Sequence, residues 1–258
     1  MTPTGEALAS FPAAVAVVRV LAGLASLVNA LELLWLVLTD TRSGLQGREA
    51  LKTQRGMVLR VPDGRGFAMI LLLQCVAAVA LIARADAIPA ALLLVTTYLT
   101  AVRFRGNVNG GSDAMLFTIL GGLTLALLDD APMFWREAGL LYVAAQLVLS
   151  YLRAGIAKAR HRAWWTGDAL REFLALPAYG VPAGVWSSPP LLRAISTAVI
   201  LFECASPLVF VHPNFCALFI AAAFVFHAMT ALLFGLNRFL LAWTAALPSL
   251  WYAVHRAL

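Results

Sequence analysis

The chain has 258 residues, 62% of them hydrophobic and 12% charged, with a mean hydropathy of +0.85 and a formal net charge of +6. Water-soluble domains carry about 25% charged residues, so the composition excludes an ordinary soluble enzyme and predicts an all-α, polytopic helix bundle in a lipid bilayer. The three cysteines, Cys75, Cys204 and Cys216, lie in apolar runs without a CxxC pair, which argues for small core side chains and against a zinc site or a disulfide framework.

In chain order, apolar stretches bounded by charge, Pro or Gly predict about eight spanning helices. They run from Phe11 to Leu38, Phe67 to Ala83, Ile88 to Val102, Asp113 to Leu128, Ala138 to Ala159, Pro190 to Val211, Asn214 to Gly235 and Leu236 to Val254. No Lys or Arg precedes the first run, which is too long for a signal-peptide core and reads as a retained helix. The second and third are short and separated only by Arg84-Ala85-Asp86, as in a hairpin. Residues 40 to 66 read as a basic surface segment. Residues 160 to 189 combine Trp164, Trp165, Tyr179 and Trp186 with Arg162, Arg171 and prolines, the composition of a segment in the headgroup region. Without an internal repeat or low-complexity tract, the chain reads as one domain, residues 1 to 258.

Of the 19 Lys and Arg residues, Arg84, Arg136 and Arg256 fall on one side of this arrangement and Arg19 falls within the first helix; the other fifteen fall on the opposite side. Cytoplasmic loops collect such charge. The bias therefore predicts an extracytoplasmic N-terminus in a plasma membrane or bacterial inner membrane. It also accounts for the net charge with the bilayer as partner and no nucleic acid.

An ionisable side chain at the centre of a span costs about 2.5 to 3.5 kcal/mol on insertion scales, so each needs a partner or a task. The candidates are Arg19, Glu32, Asp113, Arg153, Lys158, Glu203 and His227. All but Arg19 fall at or below the midplane on the inner side, which predicts one polar cavity open toward that face. The structural alternatives are a carboxylate paired with an arginine to hold two helices, and a histidine satisfied by one carbonyl. Residues three, four and seven before Lys158 are Gly155, Ala154 and Tyr151, which share its helix face and leave room for a flat ring beside the amine. A neutral amine there can act as a base; the alternative is a lysine that snorkels to the headgroups with Arg160 and Arg162. Asn109, Gly110 and Gly111 precede a helix whose first residue is read as Asp113. That junction offers free N–H groups to an anion, unless Ser112 or Asp113 caps them.

The stretch Tyr151-Leu-Arg-Ala-Gly-Ile-Ala-Lys158, followed by Trp164-Trp165-Thr166-Gly167-Asp168-Ala169-Leu170, resembles the pattern Y…AG(I/V)xK…W…G…L of the horizontally transferred transmembrane (HTTM) domain, the membrane part of vitamin K-dependent gamma-carboxylases. Asn107-Val-Asn-Gly-Gly-Ser-Asp113 before a helix, Glu203 before Pro207, and Phe226-His227-Ala-Met229 running on to Phe234, Gly235 and Phe239 agree with it in type and order. The resemblance implies that Lys158 is a base toward a reduced quinone of the vitamin K or menaquinone type, with no metal. In that family the hydroquinone is oxidised to an epoxide, and the strong base so generated removes a proton from a peptide glutamate. On this reading Lys158, His227 and Glu203 are catalytic. Arg153, Tyr151 and Trp165 line the cavity, and Asn107, Asn109 and Asp113 stand at its mouth.

The chain has Gly110, Gly111 and Ser112 where the carboxylase has a histidine, so peptide-glutamate carboxylation is not carried over. What is carried over is a carboxylase-like or quinone-linked membrane oxidoreductase, with a peptide substrate or a role in peptide maturation. The rival is a non-catalytic membrane subunit that anchors or chaperones a partner protein. A small transporter ranks third, because the sequence has neither inverted repeats nor interrupted midplane helices.

Overall fold

The computed structural model describes residues 9–39, 64–104, 110–179 and 188–258, and among these it contains helices and no strand. Helix α1 spans Phe11–Thr39, α2 Arg65–Ala83, α3 Ala87–Phe104, α4 Gly110–Ala126 and α5 Met133–Ala159. Two short helices, α6 (Arg162–Thr166) and α7 (Asp168–Leu174), and a 3-10 turn at Pro177–Tyr179 follow. Then come α8 (Pro189–Cys204), a 3-10 turn at Ser206–Phe210, α9 (Pro213–Phe234) and α10 (Asn237–Ala257). Among the described residues α1, α2, α5 and α9 are long and apolar enough to cross a membrane, and α3 and α4 are apolar but shorter. Large apolar side chains such as Trp35, Val76, Leu218 and Leu232 stand exposed along these helices, as expected of a surface that faces lipid and not water. The chain is therefore compatible with a multi-pass membrane protein.

Two of the sequence-based boundaries need correction. The predicted span from Pro190 to Val211 is not continuous: α8 ends at Cys204, and a 3-10 turn containing Pro207 follows. Proline has no N–H to continue the α-helical ladder. The Ser206 hydroxyl in that turn donates to Val148 O of α5 at 3.1 Å, tying the break to the neighbouring helix. The second correction concerns α4, which begins at Gly110, so Asp113 lies inside its first turn and not at its start. A Cβ on Gly111 would meet Phe239 Cζ at 2.7 Å. An aromatic ring thus sits against Gly111, one of the residues that the sequence suggested for an anion. The predicted surface segment 40 to 66, apart from its last three residues, and Trp186 lie outside the described residues.

Helix α10 is the centre of the bundle, packed against α1, α4, α5 and α9. Its buried Ala242, Ala245, Ala246 and Ala253 are small enough to let neighbours come close. Helices α4 and α5 meet at two glycines. A Cβ on Gly139 would lie 2.2 Å from Gly122 O, and one on Gly122 would lie 2.4 Å from Gly139 O. The backbones touch where neither carries a side chain. Gly139→Val should therefore lower stability by about 1–3 kcal/mol, the usual effect of overpacking. An unchanged melting temperature in mild detergent would contradict this packing.

Arg19, the one candidate that the sequence places in the outer half of its span, has a structural task. Its Nη1 donates to Leu81 O and, at 2.6 Å, to Ile82 O. These are carbonyls at the C-terminal end of α2, which lack helical partners of their own. Arg19 thus clamps α1 to α2.

Candidate functional site

Helix α5 ends in the sequence Tyr151 to Lys158, and a separation of seven residues is close to two helical turns, so the phenol and the amine project from one face. That face looks onto α8, α9 and α10. Ser150, Tyr151, Ala154 and Lys158 of α5, Glu203 of α8, Phe226, His227 and Thr230 of α9, Leu236, and Phe239 and Trp243 of α10 enclose a cavity of about 240 Å³. Three residues read as catalytic from the sequence therefore share one wall system with Tyr151.

Lys158 Nζ donates to both carboxylate oxygens of Glu203, at 2.8 and 2.7 Å. The Glu203 side chain is 4% exposed and that of Lys158 20%. An isolated charge at this depth would be strongly unfavourable, and the bidentate contact is what makes the pair tolerable. Gly155 makes the approach of the helices possible. A Cβ there would lie 2.7 Å from Cys204 N and 2.9 Å from Glu203 Cβ. This corrects the expectation that Gly155 and Ala154 together leave room for a ring. The backbone of α8 occupies the space beside Gly155, and only Ala154 borders the cavity.

A second polar pair lines the same cavity. Tyr151 Oη and His227 Nε2 are 2.7 Å apart, with both residues buried. Thr230 Oγ1 donates to His227 O at 2.9 Å, and His227 Nδ1 has no hydrogen-bond partner among the described residues. Aromatic rings fix both members of the pair. Tyr151 meets Phe202 and Phe219 edge-on at 5.4 and 5.1 Å, and His227 meets Phe226 and Trp243 at 5.0 and 5.2 Å. The alternative of a histidine satisfied by one carbonyl is thereby set aside for the ring nitrogen Nε2, which has a phenol as partner.

Other predicted site residues lie elsewhere. Arg153 is on the exposed side of α5, because five residues from Lys158 is a rotation of about 140° around a helix; it lines nothing in the cavity. Trp165 is also turned away, with its Nε1 donating to Ala159 O at 2.8 Å. Its neighbour Trp164 is the one on the site, with Lys158 Nζ 5.3 Å from its ring centroid. Asp113 is buried in the first turn of α4, within electrostatic reach of Arg238. Arg238 Nε in turn donates to Glu32 Oε2 at 2.7 Å. These three form a separate charge cluster joining α1, α4 and α10, and they do not border the cavity around Lys158. Asn107 and Asn109 lie outside the described residues.

The sequence reading missed the cage formed by Phe226, Phe239 and Trp243 as a unit, although Phe226 and Phe239 belong to the stretches it singled out. Trp243 carried no signal, since one aromatic residue in an apolar helix is ordinary core. Among the described residues no group of three or more His, Cys, Asp or Glu side chains is arranged to hold a metal ion. Comparison of the chain with protein-family models, with curated proteins and with solved structures returned no match. The reading of the site accordingly rests on its own chemistry.

Proposed function

We propose that the chain is an eight-span HTTM-like membrane protein, its N-terminus extracytoplasmic, whose cavity binds a reduced quinone or a similar ring-bearing amphiphile and removes a proton from it. The observation that carries this reading is the presence of two proton-handling pairs, the partly buried Lys158 with Glu203 and the buried Tyr151 with His227, in the lining of one space with aromatic walls. An ion pair that served only to lock α5 to α8 needs neither the second pair nor the space.

The walls suit such a group. Phe226, Phe239 and Trp243 offer flat apolar surface to a ring, and polar groups stand ready for oxygen atoms. A second cavity of about 300 Å³, lined entirely by apolar surface except at Thr230, lies between α8 and α9 beneath Leu170 and Leu174 of α7. It shares Phe226 and Thr230 with the first, and so offers a hydrocarbon chain an apolar place next to the ring site. Together the two spaces fall within the range of about 300–1,000 Å³ common for small-molecule sites.

Bound there, a hydroquinone would supply an acidic hydroxyl. Lys158 Nζ is the immediate base. In the resting ammonium–carboxylate pair Nζ has no free lone pair, so it first releases a proton to Glu203 Oε1 or Oε2 and then, as the neutral amine, takes the ligand's hydroxyl proton and regains its charge beside the ligand oxygen. The Tyr151–His227 hydrogen bond runs in either direction according to the imidazole tautomer, so this pair can offer or receive a proton within the same cavity. Burial of Glu203, Tyr151 and His227 limits the access of bulk water to these protons.

The test is ligand-induced stabilisation of the purified protein in mild detergent. A reduced naphthoquinone bearing an isoprenoid chain should raise the melting temperature, since a ligand that binds only the folded state stabilises it by mass action. The same ring without a chain should raise it less, and Lys158→Met and His227→Ala should each abolish the increase. Equal stabilisation of both variants and the wild type, or none of the wild type, rejects the reading.

A further inference from the structure

The one-turn helix α6 follows α5 directly, and its position is set by three contacts. Ser196 Oγ of α8 donates to Trp164 O, and Trp165 Nε1 donates back to Ala159 O at 2.8 Å. Gly167, at φ 81°, brings the chain so close to α8 that a Cβ there would lie 2.6 Å from Arg193 N. Only glycine adopts that backbone conformation without strain while allowing such an approach. The orientation of the Trp164 ring is therefore decided by attachments to α5 and α8 and not by the lipid around it.

The ring so held has Lys158 Nζ 5.3 Å from its centroid. Glu203 occupies two of the ammonium's three N–H groups, and the indole face lies on another side. A cation over an indole face is attracted by the ring quadrupole, more strongly where water is excluded. Trp164 also meets Phe173 of α7 at 6.1 Å, which makes an aromatic cover beyond the end of α5. Lys158 is the more exposed partner of its ion pair.

We infer that Trp164 is a positioning residue that holds the Lys158 ammonium against Glu203 and shields it from the aqueous phase at that end of the bundle. The inference rests on the reading of Lys158 as the working amine of the cavity.

Amine acylation reads this directly and needs no catalytic assay. The chain has one other lysine, Lys52, so the rate at which sulfo-N-hydroxysuccinimidyl acetate modifies Lys158 relative to Lys52 can be followed by peptide mass spectrometry on the full chain in detergent. In Trp164→Ala the relative rate should rise on the order of tenfold, the scale of a desolvated cation–π contact. Trp164→Leu, which keeps bulk without a π face, should give an intermediate rise, and Trp164→Phe should return close to wild type. Equal rates in all variants overturn the inference, as does a Phe variant that behaves like the Leu variant. If Trp164→Ala loses its folded elution profile, the Leu and Phe variants decide alone. Acylation that fails to respond leaves the hydroquinone stabilisation test untouched, and failure of that test leaves the graded acylation pattern intact, so the two ideas fall separately.

Discussion

Lys158→Met should destabilise the folded protein by about 3–5 kcal/mol, because it leaves the Glu203 carboxylate buried without a partner. Glu203→Leu should cost less, since the Lys158 side chain is 20% exposed against 4% for Glu203 and can turn toward water. The double variant Lys158→Met/Glu203→Leu should recover most of the loss, as buried ion pairs replaced by apolar residues of similar volume commonly do. Melting temperatures of the four proteins in one detergent give the coupling directly. Additive losses, with no recovery in the double variant, would mean that the two side chains are not paired in the folded protein. The same double variant separates structure from function. It should fold, yet gain nothing from a reduced naphthoquinone. A double variant still stabilised by the ligand would show that the ion pair is only a clasp between α5 and α8.

The second large effect is expected at Gly155. A valine there would place Cβ within 3 Å of the Cys204 backbone, the Cys204 Sγ and Glu203 Cβ. Backbone cannot yield as a flexible side chain does, so α8 must move away from α5, at the cost of about 1–3 kcal/mol typical of overpacking. The displacement also lengthens the Lys158–Glu203 contact, so the loss adds part of the effect expected for Lys158→Met. Ala154→Val is the contrasting change. Its side chain projects into the cavity and not into a neighbouring helix, so it should leave the melting temperature nearly unaltered while reducing stabilisation by the hydroquinone. Equal melting temperatures for Gly155→Val and wild type would refute the close approach of α5 and α8.

The helices themselves were readable from composition. Runs of apolar residues must satisfy their own backbone hydrogen bonds in lipid, and Pro, Gly and charged clusters mark where they stop. Lys158, Glu203 and His227 were also readable as unusual, because a lone polar residue in an apolar helix is costly enough to need explaining. Their partners were not. Lys158 and Glu203 are 45 residues apart, Tyr151 and His227 76, and Glu32 and Arg238 206. Periodicity gives the face of a helix on which a residue lies, but carries no information about which other helix that face meets. Arg153 was assigned to the cavity as one of the ionisable residues at the inner depth of the spans, and the rotation of α5 carries it to the exposed side. Between Trp164 and Trp165, adjacent and chemically alike, the choice depends on how α6 is tied to α5 and α8.

What the amino-acid order determined by itself is thus a set of apolar helices and a short roster of polar residues that the bilayer cannot leave unattended. Tertiary structure alone decided that Lys158 faces a carboxylate, that His227 faces a phenol, and that Glu32, Asp113 and Arg238 form a cluster of their own. The physical reason is that hydrophobic burial and backbone hydrogen bonding act along each segment. The pairing of charges depends instead on the angle and depth at which separate helices cross, and close contacts at glycines such as Gly155 set those quantities.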